Sequence, residues 1–197
     1  MELDEDRLNP AETTALARRI GHELTRPIVL VGMMGVGKSS VGRRLAHALG
    51  LPFVDADDAI EEAAQMAIPE IFATYGEAYF RDGERRVIQR LIAESAGGKP
   101  KVIATGGGAF ANPETRALIL DQAIAVWLDA DVDTLLERVG RKDNRPLLRQ
   151  GNPREILTRL KAERESAYAE APIKVISGNQ SHARTLANVM KGIAQWL

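Results

Sequence analysis

The sequence predicts an α/β fold in which helices cover both faces of a five-stranded parallel sheet. Five short apolar segments rich in β-branched residues predict the strands, at 27–31, 52–54, 101–105, 124–128 and 173–176. Segments with helical spacing of apolar residues lie between them, and this alternation is typical of a parallel sheet covered on both faces. The length of 197 residues and the apolar content of 45% fit one ordinary domain.

The first 26 residues precede the first predicted strand, and we interpret them as an N-terminal helical extension to a domain at 27–197. Asn9 and Pro10 predict a helix start, because asparagine is a good cap and proline suits the first helical position. Leu16, Ile20 and Leu24 follow at helical spacing and form a narrow apolar stripe. The segment is therefore either a helix that packs on the domain or on a partner, or a flexible appendage.

The remaining elements follow in a regular order. The strand at 27–31 is a continuous apolar run that ends at glycine, as expected of a strand buried on both faces. Helical spacing at 41–49 leads to the strand at 52–54, and further helical patterns cover 56–66 and 77–95. The strand at 101–105 ends in glycines, and helical patterns follow the last two strands, the final one at 183–196. Ligands bind on such sheets at the carboxyl ends of the strands, where the motifs described next are found.

Composition excludes several classes of function. Lysine and arginine number 26 against 27 aspartates and glutamates, so the net charge is −1 and binding along a nucleic-acid backbone is not expected. The absence of cysteine excludes a disulfide framework, a thiol nucleophile and a thiolate zinc site. No apolar segment is long enough to span a bilayer, and the acidic first ten residues do not resemble a secretory signal. We therefore expect a cytoplasmic protein that binds neither nucleic acid nor membranes.

A phosphate-binding loop follows the first strand. The segment Gly32-Met-Met-Gly-Val-Gly-Lys38-Ser39 matches the pattern G-x-x-x-x-G-K-[ST] at every position, between a predicted strand and a predicted helix. Glycines let backbone N–H groups turn towards phosphate oxygens, and the helix presents its positive end to the same anion. Lys38 adds a charge at the β- and γ-phosphates, and the Ser39 hydroxyl can bind Mg²⁺. A nucleoside triphosphate with Mg²⁺ is implied, while hydrolysis, transfer and binding without reaction all stay open.

An acidic cluster follows the second strand. In an extended segment Asp55 and Asp57 point to the same side, where one carboxylate can hold Mg²⁺ and the other can accept a proton from a hydroxyl nucleophile. The alternative is a helix cap, provided by Asp57 or Asp58. The two interpretations are compatible if Asp58 is the cap.

Glycines and arginines complete the set of candidate residues. Three consecutive glycines at 106–108 favour a close approach between a ligand and the backbone over a simple tight turn. Glu84 lies three residues after Arg81, so it can brace an arginine that binds a carboxylate, or form an ordinary surface ion pair. Arg145 lies in a charged segment at 140–153 whose length is typical of a mobile lid. Arg164 lies on a predicted helix of mixed charge, a pattern usual for a solvated face.

Taken together, these segments resemble the shikimate kinases, of the nucleoside monophosphate kinase-like branch of phosphate-loop proteins. The resemblance runs from about residue 27 to the C-terminus. It rests on segments in the family's order and spacing: G-M-M-G-V-G-K-S-S-V-G at 32–42, F-V-D-A-D-D-A-I-E at 53–61, I-P-E-I-F at 68–72, G-E-A-Y-F-R-D-G-E at 76–84, A-T-G-G-G-A-F at 104–110, R-K-D-N-R-P-L-L at 141–148 and R-E-S-A-Y at 164–168. The resemblance implies a phosphate-loop kinase fold with a mobile lid, at about 140–153.

The resemblance also implies roles for individual residues. ATP would be bound by Gly35, Val36, Gly37, Lys38, Ser39, Ser40, Arg138 and Arg145, with Arg138 stacking on adenine. Shikimate would be bound by Asp57, Arg81, Gly106, Gly107, Gly108 and Arg164, with both arginines on its carboxylate. Ser39 and Asp55 would hold one Mg²⁺ per subunit. Asp57 would act as the base, and Lys38 and Arg145 would stabilise charge on the transferred group.

The implied reaction is phosphorylation of shikimate at its 3-hydroxyl by ATP, which gives 3-phosphoshikimate and ADP in the pathway to chorismate and aromatic amino acids. The rivals are a kinase of another small acid, such as gluconate, and an ATP-binding regulator without activity. The loop at 177–182 lacks the family's usual proline near the adenine, and Ser166-Ala167 replaces the usual Pro-Leu after Arg164. We expect a monomer, with a weak dimer through the N-terminal helix as the alternative.

Overall fold

Five parallel strands form one sheet, as predicted, and their order in it is β2-β3-β1-β4-β5. The computed structural model describes residues 9–96, 99–140, 151–178 and 181–197. The strands are β1 (Ile28–Val31), β2 (Phe53–Asp55), β3 (Val102–Ala104), β4 (Ile124–Asp129) and β5 (Ile173–Ile176). β1 and β3 are shorter than predicted, β2 is shifted by one residue, β4 is one residue longer, and β5 has the predicted bounds. β1 and β2 begin after their prolines, because proline has no N–H to donate and contributes only its carbonyl, here to Ile124 and Val102.

Helices precede, separate and follow the strands, as the alternating pattern predicted. They are α1 (Pro10–Glu23), α2 (Lys38–Leu49), α3 (Ala56–Ala64), α4 (Ile68–Ala96), α5 (Pro113–Gln122), α6 (Val132–Gly140), α7 (Pro153–Tyr168) and α8 (His182–Trp196). A short 3₁₀ turn, Ala109–Ala111, precedes α5. All four residues of β1 are buried, which requires cover on both faces of the sheet. Within the described ranges, no helix combines the length and apolar character that crossing a membrane requires.

Two helices differ from the prediction in their bounds. The helix predicted at 77–95 begins earlier, at Ile68, and contains a break at Gly76, where φ is 79°. Glycine adopts this left-handed conformation readily, so the chain turns there and continues as helix. The helix predicted at 56–66 ends at Ala64, because Gln65 adopts a left-handed conformation with φ 51°.

The N-terminal helix α1 packs on the domain. Asn9 accepts from the backbone N–H of Glu12, and the Glu12 side chain accepts from the Asn9 N–H, which completes a capping box. Ile20 and Leu24 are buried in the hydrophobic core, and Arg19 donates to the carbonyl of Ala194 in α8 at 3.0 Å. The apolar stripe predicted in this segment therefore faces its own domain.

Helix α6 is capped by Asp131, which accepts from the Thr134 N–H at 2.7 Å and from the Thr134 hydroxyl at 3.0 Å. The pKa of Asp131 is lowered, chiefly by that backbone hydrogen bond. A carboxyl with a lower pKa in the folded chain holds its proton less tightly there than when unfolded. Its contribution to the free energy of unfolding is therefore complete above the unfolded pKa, near 4, and is lost as the pH falls through the lowered value.

We expect Asp131→Ala to lower the free energy of unfolding by about 1 kcal/mol at pH 7, because an exposed cap of this kind contributes that much. The difference from the wild type should shrink as the pH falls below about 4. Urea unfolding of both proteins at pH 7 and pH 3 measures this. Asp131→Asn keeps an acceptor oxygen and should lose less stability at pH 7. A difference independent of pH would contradict a role for the Asp131 charge.

Candidate active site

A cavity of about 290 Å³ opens at the carboxyl ends of β1, β2 and β3, where the predicted motifs meet. Its walls come from the phosphate loop and the start of α2, the acidic segment after β2, the glycines after β3, α6 and the loop after β5. The residues that line it include Gly35, Val36, Gly37, Lys38, Ser39, Ser40, Asp55, Asp57, Thr105, Gly106, Gly107, Arg138, Ser177 and His182.

The phosphate loop has the backbone conformation that its glycines predict. Gly32, Gly35 and Gly37 have φ of 133°, 80° and 105°, a region that other residues rarely adopt. A Cβ on Gly32 would lie 2.2 Å from the carbonyl oxygen of Leu128. Lys38 is buried at the first position of α2, and its ammonium donates to the carbonyls of Gly32 and Met33 at 2.7 and 2.9 Å. The lysine charge is thus held inside the curve of the loop.

Ser39 and Asp55 form a pair of oxygen donors at the edge of the cavity. The Ser39 hydroxyl donates to Asp55 Oδ2 at 2.6 Å. Among the residues that the structure describes, no group of three or more histidine, cysteine, aspartate or glutamate side chains could hold a metal ion. The oxygen pair of Ser39 and Asp55 fits Mg²⁺, because this ion typically takes one or two protein oxygens and completes its shell with water and substrate phosphates.

The capping prediction for the acidic cluster is wrong. Helix α3 begins at Ala56, and its cap is Asp55, whose Oδ1 accepts from the Asp57 N–H at 3.2 Å. Asp57 therefore lies in the first turn of α3 and not in an extended segment. Asp55 and Asp57 nevertheless both line the cavity, as predicted, whereas Asp58 is exposed and is not one of the residues lining it.

Each of the three glycines after β3 lies against a different part of the site. A Cβ on Gly106 would lie 2.8 Å from Asp57 Oδ1 and 2.9 Å from Glu84 Oε1. A Cβ on Gly107 would lie 3.1 Å from the backbone nitrogen of Met34 in the phosphate loop. A Cβ on Gly108 would lie 2.6 Å from Arg81 Nη2. The glycines are needed because functional side chains and the phosphate loop occupy the space that a side chain would fill.

We expect Gly106→Ala to lower kcat at least about tenfold, because the new methyl group would displace Asp57 or Glu84 and small shifts of catalytic groups have large effects on rate. Steady-state kinetics together with circular dichroism measure this. The control is Gly21→Ala in α1, where a Cβ would have no neighbour within 4 Å. It should keep the wild-type rate and gain about 0.5 kcal/mol of stability. A Gly106→Ala protein with the wild-type kcat would contradict the tight packing described.

Arg81 and Glu84 form a close ion pair on α4 beside the glycines. Arg81 Nη1 lies 2.7 Å from Glu84 Oε2, and a longer contact of 3.3 Å joins Arg81 to the more exposed Glu77. The Glu84 side chain is only 1% exposed, so this is not an ordinary surface pair. Burial raises the pKa of Glu84 and Arg81 opposes it, while nearby Asp57 raises it further. Glu84 therefore braces Arg81, as predicted, and the Arg81 guanidinium lies beside Gly108.

Helix α7 brings Arg164 to the same glycines. Arg164 Nη1 donates to the carbonyl oxygen of Gly107 at 3.0 Å. Arg81 and Arg164 thus approach adjacent glycines from two different helices, and the mixed charge of α7 had favoured a solvated face instead. The Tyr168 hydroxyl donates to the same carbonyl. Sequence reasoning assigned Tyr168 no role, although its place one turn after Arg164 on the helix is a signal that could have found it.

Arg138 joins the phosphate loop to the end of β5. Its guanidinium donates to the carbonyls of Val36, Ser177 and Gly178 at 3.0, 2.8 and 2.7 Å. Ser177 and His182 also line the cavity and were missed as site residues, although they follow the carboxyl end of a strand, where ligands are expected. Burial lowers the pKa of His182. Arg145 and most of the predicted lid, residues 141–150, lie outside the described residues.

A model of the shikimate kinase family matches residues 34–196. The chain belongs to the shikimate kinase family. The shikimate kinase of Novosphingobium aromaticivorans is 64% identical over 197 residues, the full length of both proteins. The shikimate kinase of Caulobacter vibrioides strain NA1000 is 56% identical over 170 residues, which are 86% of this chain and 83% of that protein.

Solved structures of shikimate kinases have the same fold. The structure of the Acinetobacter baumannii shikimate kinase in complex with shikimate superimposes with a TM-score of 0.77 at 38% identity, over 89% of this chain and 94% of that one. A gluconokinase from Sinorhizobium meliloti 1021 superimposes with a TM-score of 0.57 at 18% identity, which shows a shared fold alone. The predicted phosphate-loop kinase fold is confirmed.

Proposed function

We propose that this shikimate kinase transfers the γ-phosphoryl group of ATP to the 3-hydroxyl of shikimate, giving 3-phosphoshikimate and ADP on the route to chorismate and aromatic amino acids. The observation that carries the proposal is the meeting of two kinds of site at one row of glycines. Gly107 contacts the phosphate loop, and Gly108 contacts the braced Arg81. A phosphate donor and a carboxylate-bearing acceptor can therefore be held side by side.

On the ATP side, the amides and side chains at Gly35, Val36, Gly37, Ser39 and Ser40 surround the phosphates. Lys38 places its ammonium at the β- and γ-phosphates, where it stabilises the charge that develops during transfer. Arg138 holds the phosphate loop against the end of β5 and presents its guanidinium plane to the adenine. Arg145, which lies outside the described residues, has the proposed role of stabilising charge on the transferred group. Because ATP is the co-substrate, we place the reaction in the cytoplasm.

Ser39 and Asp55 would hold one Mg²⁺ per subunit through the oxygen pair described above. Bound there, the ion supplies charge neutralisation at the β- and γ-phosphates. Asp55 has two functions in this arrangement, because its second oxygen caps α3 and so orients the helix that carries Asp57.

On the shikimate side, Arg81 and Arg164 hold the carboxylate, which fixes the ring against Gly106, Gly107 and Gly108. Asp57, beside Gly106, accepts the proton of the 3-hydroxyl as that oxygen forms its bond to the γ-phosphorus and the bond to the ADP oxygen breaks. Holding both substrates in line converts an encounter between two molecules into a positioned reaction.

An assay that couples ADP release to NADH oxidation tests the proposal. We expect ADP release with ATP, Mg²⁺ and shikimate, and almost none when shikimate is omitted or replaced by gluconate. Equal or faster release with gluconate would favour a kinase of another small acid. No release with either acid would favour an ATP-binding regulator.

The apolar stripe of α1 packs into its own domain, which supports a monomer. Light scattering measures the oligomeric state.

A further inference from the structure

Tyr168 is one of the largest fully buried side chains of the described protein, with 1% of its surface exposed. Its ring stacks on Phe110, with centroids 6.4 Å apart, and on Trp127, with centroids 5.9 Å apart. Aromatic neighbours at these distances hold a ring in one orientation. The position of the Tyr168 hydroxyl is therefore determined by packing and not by solvent.

That hydroxyl and the Arg164 guanidinium share one acceptor, the carbonyl oxygen of Gly107. A carbonyl oxygen has two lone pairs, so both donors can be satisfied at once. The two donors are four residues apart on α7 and lie on one face of the helix. The hydroxyl also lies within hydrogen-bonding reach of the Arg164 guanidinium. It contacts Met33 Sδ at 4.0 Å as well, although a thioether sulfur is a weak acceptor.

Burial raises the pKa of Tyr168 to about 12, and the Arg164 charge opposes this only in part. The hydroxyl therefore keeps its proton at neutral pH. It is a permanent donor to Gly107, and it contributes no negative charge beside the arginines that receive the carboxylate.

The phosphate loop lies close to Gly107 on another side. The backbone nitrogen of Met34 is 3.1 Å from the position that a Cβ on Gly107 would take, so a side chain has no room there. Because the peptide group is planar, the direction of the Gly107 carbonyl also fixes the direction of the Gly108 N–H. One hydrogen bond from Tyr168 thus orients a peptide of the glycine loop and the acceptor on which Arg164 rests.

We propose that Tyr168 is a positioning residue for shikimate, whose hydroxyl holds the Gly107 carbonyl so that Arg164 is directed at the carboxylate of the substrate. This inference rests on the proposed function and assigns a role to a residue that does not touch the substrate. It links α7, which follows the lid in the chain, to the glycine loop.

The test is Tyr168→Phe, which keeps the stacked ring and removes only the hydroxyl. We expect KM for shikimate to rise about tenfold, because the lost hydrogen bond weakens the placement of a charged group. KM for ATP and kcat should stay within about twofold, and the thermal midpoint should fall by only a few degrees. The matched control is Tyr75→Phe, since Tyr75 is 52% exposed and its ring lies tilted against Tyr79, with centroids 4.6 Å apart. It should behave as the wild type.

The same change in an Arg164→Ala background tests the pathway of the effect. If Tyr168 acts through Arg164, adding Tyr168→Phe to the Arg164→Ala protein should raise KM for shikimate by less than about twofold. If the two residues act independently, the two increases in KM should multiply. An unchanged KM for shikimate in Tyr168→Phe would overturn the proposal. So would an equal rise in both KM values, because that result indicates a packing role. A wild type without shikimate-dependent ADP release would instead remove the proposed function itself.

Discussion

Replacing Asp57 with asparagine should lower kcat for shikimate phosphorylation by about a thousandfold, while KM for ATP stays within about twofold. The carboxylate lies at the first turn of α3, with its Oδ1 beside Gly106 and the rest of the site around it. Asparagine has the same shape but cannot accept the proton of the 3-hydroxyl, and loss of a general base typically lowers rates by about 10²- to 10⁴-fold. Nucleotide binding depends on the phosphate loop, which the change leaves intact.

The control for this variant is Asp58→Asn, which makes the same chemical change at the next residue. Asp58 is exposed and is not among the residues lining the cavity, so its loss should leave kcat and both KM values within about twofold of the wild type. Steady-state kinetics with each substrate varied, together with direct measurement of ATP binding, separate the two steps. Turnover near the wild-type rate in Asp57→Asn would exclude Asp57 as the base.

Replacing Arg81 with alanine should raise KM for shikimate about a hundredfold or more and leave KM for ATP within about threefold. A guanidinium binds a carboxylate through charge-assisted hydrogen bonds, and truncating one partner of such a pair costs about 2–5 kcal/mol. The change also leaves Glu84 buried without its partner, which places a second carboxylate where the substrate carboxylate should bind.

The control here is Arg86→Ala on the same helix, where the side chain is 72% exposed and pairs with Asp82 at 2.7 Å. Exposed pairs contribute little, so both KM values should stay within about twofold of the wild type. Arg81→Ala combined with Glu84→Gln removes the unpaired charge and should recover part of the shikimate affinity. An equal loss of affinity for ATP and shikimate in Arg81→Ala would contradict a role specific to the carboxylate.

Residues that act together and are consecutive in the chain could be predicted from the sequence. The phosphate loop was found complete, because the glycines, Lys38 and Ser39 lie within eight residues between a strand and a helix. The brace between Arg81 and Glu84 was also predicted, since three residues on a helix bring side chains together without any other part of the fold.

The capping residue of α3 shows where local pattern was insufficient. Three aspartates lie within four positions, and each has the chemistry of a cap. The choice depends on where β2 ends, and β2 ends at Asp55 because that residue pairs with Ala104 of β3. Strand pairing is a contact between distant parts of the chain, so the sequence around Asp55 does not contain it.

The hydrogen bonds of Arg138, Arg164 and Tyr168 also join parts of the site that are far apart in the chain. Arg138 reaches the carbonyls of Val36 and Ser177, which are 102 and 39 residues away in the chain. Tyr168 and Arg164 reach Gly107 across 61 and 57 residues. Periodicity and spacing describe neighbours within about two helical turns, so they do not show which distant carbonyl each of these side chains reaches.

The sequence by itself determined the class of fold, the phosphate loop, the family and most of the residues that meet at the cavity. Only the tertiary structure decided which aspartate caps α3, why three glycines are required and which groups hold the Gly107 carbonyl. The physical reason is the range of the interactions. Backbone propensities and helical neighbours act over a few residues, whereas the close packing of the glycine loop against α3, α4, α7 and the phosphate loop exists only once the sheet has brought them together.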